Sequence, residues 1–425
     1  MADLSKGTVT KTRALKTVKV GEKLGEGGQG AVYKVSYDGK PKALKWYTGT
    51  RLKNIDKFYA NLESNIKKGA PTASFLWPLD ITEKQGKAFG YIMDLKPPEY
   101  KDFSDFLLAK EKFASVTAMI NTALHITAGF RELHTMGYSY QDLNDGNFFV
   151  DPKTGKVLIC DNDNVAEYGK NLGIAGKCRY IAPEIVLGKE LPSVHTDKFS
   201  LAVVLFLLLV NNHPLEGKNA YPPCMTEEIE KKIYGSEPVF IFDPLDTSNA
   251  PVEGINNNAI RRWPLLPKYV RDKFIAAFSK DALFDPALRI IEKDWLKTFI
   301  RMRGEIYKCD CGEVFFADAE SAALCPACGK EHSFTICLET PKYTLALHRR
   351  TRLYACHTED GDDFETLTGE VVKNDAGIYE LKNCSKKAWL VINGKGKQTS
   401  KGSGKTVPLE KGISIIFGTI TAKII

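Results

Sequence analysis

In the stretch YQDLNDGNFFVD, Asp142 and Asn147 stand five residues apart in a short polar loop bounded by apolar segments. One carboxylate and one amide oxygen at that spacing can take a hydroxyl proton and ligate a hard cation such as Mg²⁺. Further on, VLICDNDNV carries Asp161 and Asp163 from an apolar strand into a turn. Taken alone, an Asp-rich turn is usually only a turn. Upstream, LGEGGQGAVYKV sets Gly25, Gly27 and Gly30 as G-x-G-x-x-G, with Val32 just behind them. Glycines let a backbone turn approach phosphate oxygens and aim N–H groups at them, although the same triplet also serves in plain hairpins. A dinucleotide fingerprint would need a helix directly after the glycines, and here a strand follows. Lys45 ends the apolar run Ala43-Leu44-Lys45. If it is buried it needs an anion, and Glu63 on the next helical segment is the best internal partner; otherwise its head snorkels to solvent.

A second kind of chemistry lies near the other end. Cys309-x-Cys311 and Cys325-x2-Cys328 supply two close thiolate pairs, each followed by a glycine, Gly312 or Gly329. Four thiolates satisfy tetrahedral Zn²⁺ and leave no open position, which makes a structural site of it. His332 lies close in sequence and is expected to be a bystander.

The elements that must position these groups follow from periodicity. Residues 18–47 read as strands around the glycines, Leu52–Lys68 as an amphipathic helix, and Trp77–Thr82 and Ala88–Asp94 as strands. Helical patterns then dominate, in Phe103–Ala109, Ser115–Met136, Thr196–Val210, Met225–Tyr234, Pro267–Ser279 and Ile291–Ile300. After about residue 340 come short β-prone segments parted by Gly, Asn and Lys, the pattern of a small β-sandwich. Residues 1–17 read as a flexible basic arm, and GKGKQTSKGSGK as a mobile hairpin loop.

The composition, 43% hydrophobic and 26% charged, excludes a mainly disordered chain. A net charge of +7 over 425 residues is too weak to argue for nucleic acid or a membrane as main partner. No apolar run reaches the roughly 18–20 residues that span a bilayer. The longest, Leu201–Val210, reads as a helix buried on all sides, and MADLSKGTVTKTR has no hydrophobic signal segment. A cytoplasmic chain with reduced thiols is therefore expected, with no membrane partner.

In sequence order the chain offers a glycine loop, a strand Lys, a helix Glu, an Asp-x4-Asn loop, a strand-borne Asp and Ala182-Pro183-Glu184. That set resembles the protein kinase family over residues 18–300. The resemblance implies a bilobal protein kinase fold; with the small zinc ribbon and the all-β sandwich read from the segments that follow it, the expected class is α+β. It implies that Gly25, Gly27, Gly30 and Val32 cover the phosphates of ATP, and that Lys45 holds them while pairing with Glu63. Met93 takes the gatekeeper place, and Asp94 and Leu95 open the hinge over adenine. Asp142 becomes the base for the hydroxyl of a protein substrate, Ser/Thr by expectation, with Asn147 and Asp161 as ligands of Mg²⁺. Asp197 would brace the catalytic loop, and Arg289 would pair with Glu184.

The departures from the family pattern carry their own expectations. Tyr140-Gln141-Asp142 replaces His-Arg-Asp, and Gln141 cannot read a phosphate as the Arg does. Residues 162–183 contain neither Ser nor Thr, so no Ser/Thr phospho-switch is expected there; Tyr168 and Tyr180 are the hydroxyls available. Asn144 replaces a Lys that contacts the transferring phosphate, and Lys177 is expected to compensate as a cation near Asp142. Asp163 occupies the glycine place of Asp-Phe-Gly and is expected to cap backbone, metal binding being the alternative. These changes keep a pseudokinase scaffold as the alternative function, one that binds nucleotide and recruits partners through its C-terminal modules. A third reading is an adaptor whose ribbon contacts nucleic acid.

Residues 305–335 resemble a zinc ribbon. Over residues 340–425, GIYELKNCSKKAWLVING and VPLEKGISIIFG resemble the forkhead-associated sandwich, without the Arg and Ser pair that reads phosphothreonine. A docking module is the expectation. GSGKT at 402–406 is not a Walker loop, because Thr399 stands where that motif needs Gly. YQDLNDGN, CDNDNV, FGYIMDL and FSLAVVLF are similar to bacterial kinases of tellurium-resistance-type triads. That narrower likeness implies a von Willebrand A-type protein and a metal-dependent protein phosphatase as partners.

Overall fold

The computed structural model describes residues 4–28, 30–48, 52, 54–167, 169–171, 176–317, 323–349 and 351–425; Tyr168 lies outside the described residues. The chain divides into two compact units, Met1–Ala259 with Phe274–Glu292, and Ile260–Lys273 with Lys293–Ile425.

The first unit opens with a six-stranded antiparallel sheet in the order β1-β2-β3-β4-β6-β5. Its strands are β1 (Val9–Lys11), β2 (Thr17–Glu26), β3 (Ala31–Tyr37), β4 (Lys40–Tyr47), β5 (Asp80–Ile81) and β6 (Phe89–Met93). Alternation decides the faces. Ala31, Tyr33 and Val35 of β3 are buried on one side with Val18, Val20, Leu44 and Trp46. Tyr47, Phe89 and Tyr91 point to the other side, against helix α1 (Ile55–Lys68) through Phe58, Tyr59 and Leu62. The Asn54 side chain accepts from Lys57 N–H at 3.1 Å and caps the start of α1, which ends at Gly69 with φ +83°.

The segment expected as a flexible arm is partly built into this sheet. Val9–Lys11 pairs with β2, and Thr12 bridges to Thr82. Thr10 and Thr12 are buried, so the Lys/Thr composition that read as an arm conceals a β-branched edge strand.

The rest of this unit is mainly helical, with two small sheets, Val157–Ile159, Phe148–Val150 and Lys101–Asp102 in one and Ala166–Glu167 with Tyr138–Ser139 in the other. Val116–Thr135 and Val194–Val210 are the two longest helices, and in the second every residue from Phe199 to Val210 is buried. No described helix is long and apolar enough to cross a membrane.

The second unit holds two antiparallel sheets. One runs Thr344–Ala346, Cys337–Glu339, Thr421–Ile424, Ser414–Ile416, Trp389–Ile392, Gln398–Lys401; the other runs Arg352–Tyr354, Leu367–Lys373, Tyr379–Asn383, Thr406–Pro408. Gln398–Lys401 lies inside the segment expected as a mobile loop, yet it pairs in register with Trp389–Ile392. Its glycines form the turn and its polar residues the exposed edge strand. Two short hairpins, Ile306–Lys308 with Val314–Phe316 and Ala323–Leu324 with Glu331–His332, carry the four clustered cysteines in their turns.

Candidate active site and four-cysteine cluster

The glycine segment joins β2 to β3, where the Gly27 N–H donates to the Gly30 carbonyl at 2.9 Å. Gly30 has a structural reason to be glycine, since a Cβ there would lie 2.3 Å from the Trp46 carbonyl oxygen. At Gly25 and Gly27 a Cβ would meet nothing within 4 Å, so open space stands beside these two backbone units. Val32 follows on β3, in register with Lys45 of β4.

Lys45 is buried, 5% exposed. Its ammonium donates to Asp163 Oδ1 and Oδ2 at 3.0 and 2.9 Å and to Asp161 Oδ1 at 3.1 Å. Burial alone would push this amine down, but the charges of Asp163 and Asp161 outweigh that and hold it above its usual value. The expected pairing with Glu63 is not what the fold makes. Glu63 bonds Arg13 at 2.6 Å instead. The inner face of α1 is set by Phe58, Tyr59 and Leu62, and Glu63 falls one turn beyond Tyr59, where the β1 segment brings Arg13.

Asp163 is likewise not a backbone cap. It is fully buried, and besides Lys45 it accepts from the Tyr47 hydroxyl and from the Tyr91 hydroxyl at 3.3 Å. The turn around it is tied down by Asn162, whose amide donates to the carbonyls of Leu76 at 3.0 Å and Ile159 at 2.9 Å. Asp161 heads that turn at φ +54°, its side chain 44% exposed.

Asn147 is buried and donates to the Asp142 carbonyl at 2.6 Å, so its amide oxygen is the end left for other ligands. Asn144 donates to Asp142 Oδ1 at 3.2 Å while accepting from Lys177 Nζ at 2.8 Å, and it thereby links the cation to the candidate base. Burial, with the Asp161 charge, pushes the Asp142 carboxyl up to about 6, against the pull of Lys177 and Asn144. The sign is that of a base: Asp142 is ionised above that value and protonated below it. On this basis kcat/KM is expected to fall about tenfold per pH unit below pH ~6. A profile flat down to pH 5 would assign proton removal elsewhere.

The loop carrying Asp142 is braced from behind. Asp197 accepts from the backbone N–H groups of Tyr140 at 2.6 Å and Gln141 at 3.2 Å. His134, a residue the sequence reading passed over, sits between Asp197 at 3.1 Å and Glu292 at 2.7 Å. Burial opposes its charge, but the two carboxylates hold its pKa up to about 9, so it is a buried cation at neutral pH. The only signal in sequence is a His on the apolar face of a long helix. Gln141, at φ +69°, donates to the Lys170 carbonyl at 2.6 Å. Arg289 forks onto Glu184 with two contacts of 2.7 Å. Met93 is buried at the end of β6, Asp94 is exposed and bonded to Lys42, and Leu95 is half-buried.

The residues brought together are Lys45, Asp161, Asp142, Asn147 and Lys177, with Glu63 turned away. Asp161 and the Asn147 amide oxygen are hard donors of the kind Mg²⁺ takes, and the open backbone at Gly25 and Gly27 suits a phosphate chain.

In the second unit the Sγ atoms of Cys309, Cys311, Cys325 and Cys328 lie within 4.8 Å of one another. Two of their separations are 3.8 and 3.6 Å. Tetrahedral Zn–S bonds of about 2.3 Å require S···S distances near 3.8 Å, so the donor set fits that ion. Gly312 and Gly329 take φ +101° and +70°, as the turns after each pair demand. His332 is not a bystander. Its Nε2 lies 3.3 Å from Cys309 Sγ, placed to orient that ligand.

Residues 18–252 match the protein kinase domain. Among similar proteins are the serine/threonine-protein kinase oca2 of Schizosaccharomyces pombe, 27% identical over 46% of this chain and 31% of its own. Another is the probable serine/threonine-protein kinase CCRP1 of Zea mays, 26% identical over 46% of this chain and 32% of its own. A third, the probable serine/threonine-protein kinase RTK1 of Saccharomyces cerevisiae, is 24% identical over 65% of this chain and 44% of its own. The chain thus spans about a third of the length of the first two.

Proposed function

The chain belongs to the protein kinase family, and from that we propose that it transfers phosphate from Mg-ATP to hydroxyl groups of proteins, Ser/Thr by kinship with its relatives. The observation that carries this reading is Asp142: a half-enclosed carboxylate poised at about 6, beside Asn147, in the same unit as the Lys45–Asp161 pair. Asp142 orients the substrate hydroxyl and takes its proton. Mg²⁺, held by Asn147 and Asp161, would neutralise phosphate charge. Lys45 holds phosphate oxygens, and Lys177, through Asn144, keeps a positive charge beside the reacting groups. Lys177→Met is therefore expected to lower kcat by about tenfold or more, with Lys170→Met close to wild type. Equal small losses would remove Lys177 from the site.

Gln141 supports a loop that works without a Ser/Thr phosphate, because its amide already holds the Lys170 carbonyl where the family's Arg meets a phosphate. The kinase domain is read as 18–300, the zinc ribbon as 305–335 with Zn²⁺ on its four thiolates, and the docking sandwich as 340–425. The two antiparallel sheets support the forkhead-associated-like reading of the last. The bacterial, tellurium-resistance-type kinship and the von Willebrand A-type and phosphatase partners rest on the motifs YQDLNDGN, CDNDNV, FGYIMDL and FSLAVVLF. Co-purification of the full chain with each candidate partner tests them. Nucleotide binding without any phosphotransfer would favour the pseudokinase scaffold.

A further inference from the structure

Lys45 presents three N–H donors, and among the described residues the three acceptors facing them are Asp163 Oδ1, Asp163 Oδ2 and Asp161 Oδ1. The two carboxylates are not equivalent. The Asp163 side chain is 0% exposed and is gripped by hydroxyls of two different strands, Tyr47 on β4 and Tyr91 on β6. The Asp161 side chain is 44% exposed. A carboxylate wholly out of water cannot give up its cation without a large desolvation penalty, whereas an exposed one can exchange it for solvent or metal. Asp163 is thus the permanent partner of Lys45 and Asp161 the exchangeable one. Glu63, on α1, is committed to Arg13 in a solvent-exposed pair.

We propose that Asp163, rather than a residue of helix α1, is the positioning residue that holds Lys45 at the phosphate site. The ion pair required for phosphotransfer is then closed between the sheet and the Asp161–Asn164 turn. Helix α1 supplies no charge to that pair; it braces the turn instead, with Asn61 and Asn65 donating to the Val165 carbonyl at 2.8 and 3.0 Å and Phe58 packed on Tyr47. The inference rests on the reading of this site as the nucleotide site.

The test uses the full chain. Calorimetry gives Kd for Mg²⁺ with a non-hydrolysable ATP analogue, and steady-state assays give kcat and KM, for wild type, Glu63→Gln, Asp163→Asn, Lys45→Met, Lys45→Met/Glu63→Gln and Lys45→Met/Asp163→Asn. Glu63→Gln is expected to stay within about twofold of wild type in Kd and kcat, as an exposed ion pair allows. Asp163→Asn is expected to weaken analogue binding about tenfold or more, and to add nothing in the Lys45→Met background, because the two residues act as one unit. A loss of tenfold or more in Glu63→Gln, absent from the Lys45→Met background, overturns the proposal; so does a folded Asp163→Asn that binds like wild type. Should Asp163→Asn not fold, the Glu63→Gln comparison decides alone. A wild-type chain that binds no analogue refutes the nucleotide reading itself, an outcome separate from any variant's behaviour.

Discussion

Asp142→Asn is expected to lower kcat by about 10²–10⁴-fold, with the Kd of Mg–nucleotide within about twofold of wild type. The amide is nearly the same shape as the carboxylate. The Asp142 main-chain carbonyl, which accepts from both Asn147 and Asn144, is untouched, so the loop keeps its form. What disappears is the proton acceptor that burial has tuned to about 6. Rapid-quench measurement of phosphoryl transfer on the folded variant, beside calorimetric binding, checks both halves. Comparable losses in rate and affinity would mean that the substitution damaged the site as a whole. An unchanged rate would mean that Asp142 is not the base.

The second large effect belongs to the cysteine cluster. The purified chain is expected to carry one Zn²⁺, and its removal is expected to cost the hairpins around it about 10 kcal/mol of folding free energy. The reason is local. Among the described residues the hydrophobic cluster there is small, Cys309, Phe315 and Cys325 with Tyr307 against it, and two of its three core members are the ligands themselves. Metal analysis gives the stoichiometry. Hydrogen exchange before and after a strong zinc chelator should then show protection lost in 305–317 and 323–335. A chain without bound metal whose hairpins stay protected would contradict this account.

Much of the site was legible in the sequence because its chemistry is written as local spacing. Asp142 and Asn147 share one short loop, Asp161 follows an apolar strand, and each cysteine pair shares a turn. The long helices were legible for the same reason. A pattern over Ser115–Met136 became the helix Val116–Thr135, with Ser115 as its cap. What failed were choices that depend on tertiary rotation. Whether Glu63 or Asp163 meets Lys45 is decided by how α1 turns its face on the sheet and by two tyrosine hydroxyls contributed from strands far apart in sequence. The polar strands Val9–Lys11 and Gln398–Lys401 were missed because edge strands need little apolar surface and are specified by their neighbours. His134 and His332 gain their meaning from partners more than twenty residues away, so no local pattern marks them.

The most direct test of the central claim is transfer of labelled phosphate from Mg-ATP by the full wild-type chain to a protein acceptor, itself or a candidate partner. The account predicts label on Ser or Thr, dependent on Mg²⁺, with the Asp142→Asn chain reduced to about a hundredth or less of that rate. Tight Mg–nucleotide binding with no transfer from wild type above the Asp142→Asn background would contradict it, and would leave a nucleotide-binding scaffold in place of an enzyme.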